Sequence, residues 1–145
     1  MTVSMQNYDV PRVGVGVMVM KDGLLLLGKR RNSHGEGEWA LVGGKLEYQE
    51  AIAECARREI REEAGIEIEN IRFGAVMNSL RYLPKHFVSI GLIADWKSGE
   101  PQIFPEEKIA EWRWFDPKQL PEPMFYDSLQ IITATLDGTH FRDSQ

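Results

Sequence analysis

Short apolar segments separated by polar and glycine-rich stretches occupy the first third of the chain, and they predict β-strands. Residues 12–20, RVGVGVMVM, place valine at every second position from Val13 to Val19, which is typical of a strand. The segment GLLLLGKR, residues 23–30, comes after a turn predicted at residues 21–23. The two segments together therefore predict a β-hairpin. The polar stretch RNSHGEGE predicts a loop, and residues 39–42 predict a short strand after it.

Two later segments have helical character. Residues 49–64 predict a helix that ends at Gly65, and residues 126–137 predict an amphipathic helix that ends at Gly138, because glycine is favoured just past a helix C-terminus. The dipeptide at residues 116–117, an aspartate followed by proline, predicts the start of a short helical segment.

Extended segments lie between these helices. Residues 66–82 and 86–96 predict a strand pair, and residues 111–117 predict a strand in which Trp112 and Trp114 share one face. The order of strands, helix, strands and helix predicts an α+β fold, with helices packed against a sheet. A length of 145 residues fits one domain that spans residues 1–145.

The composition excludes several classes of protein. With 43% hydrophobic and 27% charged residues, the chain has the composition of a globular protein. The net charge of -5 argues against binding to duplex nucleic acid, which requires a basic surface. We find no basic, apolar leader and no apolar run near the roughly 18 residues of a membrane span, which predicts a cytoplasmic protein. The single cysteine, Cys55, excludes an internal disulfide.

The helix predicted over residues 49–64 carries acidic residues where its apolar stripe should continue. The stripe begins with Ile52, Cys55 and Ala56. The positions that extend it hold three acidic residues, Glu59, Glu62 and Glu63. Like charges four residues apart destabilise a helix, and burial increases that cost. The triplet alone fits an exposed acidic helix as well as it fits a site for a divalent cation such as Mg²⁺ or Mn²⁺.

The spacing around these glutamates resembles that of a known family. Gly44 and Glu50 precede the run REIREEAGI, residues 58–66, at the intervals of the Nudix box, and every specified position of that motif agrees. The flanking segments WALVGGKLE, FVSIGLIADW and EWRWFDPKQLP also resemble the MutT-like nucleotide pyrophosphohydrolase branch of the Nudix hydrolases. The match favours a metal site over an exposed acidic helix.

The resemblance implies a Nudix fold, which is a mixed β-sheet sandwiched between α-helices. It also implies cleavage of a nucleoside diphosphate linked to another group, with Mg²⁺, or Mn²⁺ in its place, as the cofactor. Glu59 and Glu63 are implied to be the main metal ligands, and the carbonyl of Gly43 completes the metal shell. Glu62 is implied to be a further ligand or the base that acts through water.

Two other roles follow from the same resemblance. Arg58 and Glu50 are implied to hold the loop of the motif against the helix. In several relatives a carboxylate far from the motif takes part as a ligand or a base. Glu107 is the preferred candidate for that role here, ahead of Glu111, and Glu106 stays open.

A few residues outside the motif have both a functional and a structural interpretation. Arg30 ends the second strand, where it either binds substrate phosphates or is solvated, and we assign it to the phosphates. His34 is expected to be incidental, and Cys55 to be buried by packing. Val42 replaces a proline that is common before the motif, which should leave the ligands intact. Aromatic residues at strand spacing are expected to belong to the core: Trp39, Phe87, Trp112 and Trp114.

The predicted function is Mg²⁺-dependent hydrolysis of a nucleoside triphosphate, or of a modified deoxynucleoside triphosphate, to the monophosphate and pyrophosphate. The alternatives are a pyrophosphatase acting on ADP-ribose or a nucleotide sugar, and a nucleotide-binding regulator without catalysis. The expected partner is a nucleotide, with no membrane and no duplex nucleic acid, and a homodimer stays open. The sequence does not indicate which base or sugar is preferred.

Overall fold

The computed structural model describes residues 10–143, in which strands and two helices alternate. In chain order the elements are β1 (Arg12–Lys21), β2 (Leu24–Arg30), β3 (Trp39–Ala40), β4 (Val42–Lys45), α1 (Ile52–Ala64), β5 (Glu67–Ser79), β6 (Phe87–Ser98), β7 (Ile109–Phe115), α2 (Tyr126–Leu136) and β8 (Phe141–Asp143). Neither helix of this described range has the length and apolar character needed to cross a membrane.

The predicted hairpin is formed by β1 and β2. Its turn places Asp22 and Gly23 at φ values of 52° and 79°. Two consecutive residues with positive φ are typical of a type I′ turn, whose twist matches that of paired strands. Met20 pairs with Leu25 directly before the turn, so the prediction of a hairpin is confirmed.

The strands form one mixed sheet. Its order is β3-β2-β1-β6-β5-β8, with β4 paired to β1 and β7 paired to β2. β1 runs parallel to β6 and antiparallel to both β2 and β4, and β5 runs parallel to β8. β5 and β6 are antiparallel neighbours, which confirms the strand pair predicted after the first helix.

Alternation of side chains along β1 gives the sheet two buried faces. Val15, Val17 and Val19 point to one face, where they pack with residues of α1. Met18 points to the opposite face, where it packs with Ile132 of α2. The helices therefore lie on opposite faces of the sheet, and the predicted α+β fold is confirmed.

Helix α1 begins later than predicted. Gln49 has a φ of 64° and Ala51 is extended, so the backbone becomes helical only at Ile52. Ile52 is itself exposed, and the prediction that it begins the apolar stripe is wrong. The buried residues of the helix are Cys55, Ala56, Ile60 and Ala64. Gly65 ends the helix as predicted, with a φ of 71° and an N–H that donates to the carbonyl of Arg61.

Three other segments differ from the prediction. The strand expected over residues 39–42 is divided at Leu41 into β3 and β4. The segment at residues 116–117 is a turn and not a helix, because the Asp116 carboxylate accepts a hydrogen bond from the N–H of Lys118 at 2.9 Å. The sequence does not predict β8, since a strand of three residues is too short to show an alternating pattern.

Candidate active site

Two consecutive glycines bring β4 into contact with both β1 and α1. A Cβ atom on Gly43 would lie 2.0 Å from the carbonyl oxygen of Val15, so only glycine fits against that strand. A Cβ atom on Gly44 would lie 2.3 Å from the carboxyl carbon of Glu59. The glycine pair therefore lets a helix carboxylate rest directly on the strand backbone.

Arg58 links the loop before α1 to the helix. Its guanidinium binds Glu50 through two hydrogen bonds, Nε–Oε2 at 2.7 Å and Nη2–Oε1 at 3.1 Å. It also donates to the carbonyl of Lys45 at 3.1 Å and to Glu59 Oε1 at 2.8 Å. The hydrogen bonds from Arg58 lower the pKa of Glu50 to about 2. The structure thus gives Arg58 and Glu50 the contacts expected of residues that hold this loop against α1.

Glu59 and Glu63 are partly buried carboxylates whose negative charges are not fully compensated by neighbouring groups. Burial raises the pKa of Glu63 to about 8, and the charge of Glu59 adds to the shift. Burial also raises the pKa of Glu59, although the charge of Arg58 opposes this. Glu63 Oε1 accepts a hydrogen bond from the N–H of Gly43 at 3.3 Å. Both carboxylates therefore remain costly to ionise in the absence of a cation.

Glu62 and Glu107 complete the acidic cluster. The side chain of Glu62 is 54% exposed and reaches Arg58 at 3.4 Å. Partial burial raises the pKa of Glu107, and the charges of Glu62 and Glu106 raise it further. The charge of Glu107 contributes in turn to the raised pKa values of Glu59 and Glu63. Glu62 and Glu107 therefore lie near enough to Glu59 and Glu63 for the charges of these residues to act on one another.

Glu111, the other candidate for the distant carboxylate, lies elsewhere. Trp112 packs on the α1 face of the sheet, so its neighbours on β7 point to the α2 face. Glu111 forms an ion pair there with Arg113. The strand geometry separates Glu111 from the acidic cluster, and Glu106 is exposed beside Glu107.

The donor atoms of this cluster suit a hard divalent cation. In the conformation described for residues 10–143, no three acidic, histidine or cysteine side chains converge closely enough to hold a metal ion. Glu59 is bonded to Arg58 and Glu63 to the Gly43 N–H. Carboxylate oxygens that repel one another in a half-buried site are nevertheless the groups that Mg²⁺ or Mn²⁺ compensates. The chemistry of these donor groups therefore fits such an ion.

A cleft of about 260 Å³ opens on the α2 side of the glycine pair. Its lining includes Gly14 and Gly16 of β1, and one wall of it is aromatic. Arg30 lies in its wall, with its guanidinium 4.1 Å from the centre of the Phe125 ring. Burial lowers the pKa of Arg30, and the charge of Glu63 opposes this shift. Arg30 therefore lines the cleft while its positive charge acts on Glu63.

The aromatic wall of the cleft is built from three segments that are far apart in the sequence. Tyr82 and Phe125 are stacked with ring centres 5.5 Å apart, and His34 lies 4.9 Å from Tyr82. Neither Tyr82 nor Phe125 is identified by the sequence analysis, because no local pattern marks them. His34, which was expected to be incidental, lines the cleft. Phe87 also lines it, whereas Trp39, Trp112 and Trp114 pack in or against the core.

Asp127 is a buried acidic residue in the wall of the cleft. It lies in the first turn of α2, is 9% exposed, and accepts a hydrogen bond from Ser79 Oγ at 2.8 Å. Burial raises its pKa, while the hydrogen bond from Ser79 lowers it. Asp127 is not among the predicted site residues, although an acidic residue on a predicted amphipathic helix is a signal for one. The cleft thus offers aromatic surfaces together with one carboxylate.

Comparison with known proteins gives consistent matches. A family model described as the NUDIX domain matches residues 10–135. An ADP-ribose pyrophosphatase of Methanocaldococcus jannaschii is 36% identical over 127 residues, which are 86% of this chain and 73% of that protein. An oxidized purine nucleoside triphosphate hydrolase of Danio rerio is 32% identical over 132 residues, covering 86% of this chain and 80% of that protein. Several NAD-capped RNA hydrolases named NudC also match, and this chain spans half or less of their length.

Solved structures show the same fold. A MutT NUDIX hydrolase from Burkholderia pseudomallei has a TM-score of 0.79 and 31% identity, over 86% of this chain and 97% of that chain. A bifunctional NMN adenylyltransferase/ADP ribose pyrophosphatase from Francisella tularensis, complexed with AMP and a manganese ion, has a TM-score of 0.73 and 25% identity. That match covers 89% of this chain and 42% of the other chain.

Proposed function

Since the chain belongs to the NUDIX domain family of hydrolases, we propose that it cleaves a phosphoanhydride bond of a nucleoside triphosphate. The products are the nucleoside monophosphate and pyrophosphate. The observation that carries this proposal is the position of Glu59 and Glu63, two half-buried carboxylates with raised pKa values, beside a basic and aromatic cleft. Such a pair is costly unless a cation and an anionic substrate occupy the site together.

We assign the metal to the acidic cluster. Glu59 and Glu63 would hold it, with Glu62 and the carbonyl of Gly43 as further ligands. When bound, Mg²⁺ or Mn²⁺ offsets the charge that develops on the phosphate oxygens and lowers the pKa of water. The manganese ion of the Francisella tularensis structure supports a divalent cation in this family.

The other residues of the site have separate roles in the proposed reaction. Arg30 holds phosphate oxygens between the cleft and the acids, and it loses little hydration because it is already half-buried. Water attacks phosphorus in line with the leaving pyrophosphate, and Glu62 or Glu107 accepts the proton of that water. Arg58 takes no part in the proton transfer, since its bonds to Glu50 hold the loop in place.

The cleft takes the nucleoside end of the substrate in this proposal. Its volume of about 260 Å³ is on the scale of a small-ligand pocket. The stacked rings of Tyr82 and Phe125 offer an apolar edge to a base or sugar, and the Asp127 carboxylate offers an acceptor to an N–H or O–H group. A single nucleoside therefore suits the cleft in both shape and polarity.

A second candidate is hydrolysis of ADP-ribose to AMP and ribose 5-phosphate. The name of the Methanocaldococcus jannaschii relative, at 36% identity, favours this substrate. The same acids would act on the same kind of bond, and an adenosine group would occupy the cleft. A regulator without catalysis is the least favoured alternative, because every carboxylate of the motif is retained. A homodimer and a cytoplasmic location stay predictions.

A panel of nucleotides incubated with purified protein and Mg²⁺ tests the proposal. Pyrophosphate and orthophosphate should be measured separately, because a triphosphate cleaved as proposed releases only pyrophosphate. ADP-ribose turnover without any triphosphate turnover would replace the first candidate by the second. Tight nucleotide binding without product over long incubation would contradict both and favour a binding protein.

A further inference from the structure

Two adjacent arginines at the end of β2 point to different parts of the site. The Arg30 guanidinium donates to the carbonyl of His34 at 3.0 Å and to Ser33 Oγ at 3.2 Å, beside the cleft. The Arg31 guanidinium instead faces the turn at residues 104–107, which carries Glu107. Arg31 is therefore separated from the cleft but connected to the acidic cluster.

The Arg31 side chain binds both ends of that turn. Its Nη2 donates to the carbonyl oxygens of Phe104 at 2.9 Å and of Glu107 at 3.0 Å, and its Nε donates to Glu107 at 3.2 Å. The turn is closed by the Glu107 N–H, which donates to the Phe104 carbonyl at 3.0 Å. The backbone N–H of Arg31 adds a bond to the carbonyl of Lys108 at 3.0 Å. These contacts use the fork geometry of a guanidinium, which an ammonium group lacks.

The same turn rests on the end of α1. The N–H of Gln102 donates to the carbonyl of Ala64 at 2.9 Å. The Phe104 ring packs on Gly65, where an added Cβ atom would lie only 3.1 Å from it. Arg31 thus ties β2 to a turn that already contacts the helix of the acidic cluster, directly after Glu63.

Electrostatic repulsion acts against the position of the Glu107 carboxylate. Burial is the main cause of the raised pKa of Glu107, and the negative charges of Glu62 and Glu106 raise it further. Repulsion between carboxylates favours movement of the turn away from α1 whenever the site lacks a cation. Hydrogen bonds from a cation to neutral carbonyl groups oppose that movement without neutralising the carboxylate itself.

From these contacts, and resting on the proposed function, we propose that Arg31 is a positioning residue that holds the Glu107 carboxylate beside the acids of α1. Arg31 does not touch the substrate in this role. Its loss should therefore reduce kcat through Glu107, with little change in KM for the nucleotide.

A double-mutant cycle between Arg31 and Glu107 tests this coupling. Arg31→Gln should lower kcat by about 10- to 100-fold, as expected for a displaced catalytic group, with KM changed less than about threefold. In a Glu107→Gln background the same change should have almost no further effect on kcat. Arg31→Lys keeps the charge but loses the fork, so it should recover little of the lost rate. Effects that add in the double variant, or full recovery by lysine, would overturn the proposal.

Controls separate positioning from stability and from the proposed function. Arg72→Gln is a matched variant, because Arg72 also donates to a backbone carbonyl, that of Asn70 at 2.8 Å, but lies outside the site. It should leave kcat unchanged. If the Arg31→Gln protein does not fold, the same double-mutant cycle is measured with Arg31→Lys. A wild-type protein inert toward every nucleotide would refute the hydrolase function. The same cycle measured on Mn²⁺ affinity would still decide the role of Arg31, because the charge of Glu107 acts on Glu59 and Glu63, the proposed metal ligands.

Discussion

Replacement of Gly44 by alanine should disable the site while leaving the fold intact. The added Cβ atom would lie 2.3 Å from the carboxyl carbon of Glu59, whereas carbon atoms in contact are normally about 3.5–4.0 Å apart. Glu59 must therefore move by more than about 1 Å. That movement breaks the 2.8 Å hydrogen bond from Arg58 and removes a proposed metal ligand from its position.

The structure sets the expected magnitudes. Loss of a hydrogen bond between charged groups costs about 1.5–3 kcal/mol, and the lower flexibility of alanine in the unfolded chain returns about 0.4–1 kcal/mol. We therefore expect a melting temperature lower by about 2–8 °C, together with a kcat lower by about 100-fold because a ligand is displaced by over an ångström. Gly43→Ala should be more severe, costing more than about 4 kcal/mol, because its Cβ atom meets the backbone of β1 and not a movable side chain.

Thermal melts followed by circular dichroism and turnover of the best nucleotide measure the two effects separately. Gly23→Ala is a suitable control, since its Cβ atom would meet nothing within 4 Å and only its φ of 79° causes strain. It should lower stability without changing kcat. A Gly44→Ala protein with wild-type turnover would refute the view that the glycine exists to seat the Glu59 carboxylate.

Glu63→Gln should lower kcat at least about 100-fold in a folded protein, and an undiminished kcat would remove Glu63 from the proposed metal site. Burial raises the pKa of Glu63 from 4.5 to about 8, so the folded metal-free protein keeps a proton that the unfolded chain releases. Its melting temperature should therefore fall as the pH rises from about 5 to 8. The glutamine variant should lose this slope, and an equal slope in both proteins would contradict the raised pKa. Arg30→Ala should raise KM for the triphosphate about tenfold or more, measured by steady-state kinetics, and an unchanged KM would exclude a phosphate contact. Asp127→Asn should alter the ratio of kcat/KM between nucleobases about tenfold, whereas a uniform change across bases would exclude a contact with the base.

Most of the acidic part of the candidate site could be predicted from the sequence because most of it is local. Glu50, Arg58, Glu59 and Glu63 lie within one loop and one helix, so their spacing alone defines their neighbours. Even there, the predicted start of α1 is wrong. The hydrogen bonds between Glu50 and Arg58 hold the preceding loop extended, where helix propensity alone predicts a turn of helix.

The cleft could not be predicted in the same way. Ser79 and Asp127 are 48 residues apart, and their hydrogen bond depends on the packing of α2 against β5. Tyr82 and Phe125 meet for the same reason. The choice of Glu107 over Glu111 likewise depends on which face of the sheet β7 presents, and a strand register is not visible in one sequence.

The recess lies on the α2 side of the sheet and the acids of α1 lie on the other side, and Gly43 and Gly44 border both. In the proposed function, recognition and hydrolysis are therefore assigned to largely separate sets of residues, which meet at these glycines and at Arg30. On this proposal, a change in the lining of the recess alters which nucleotide binds, while the acidic groups stay as they are.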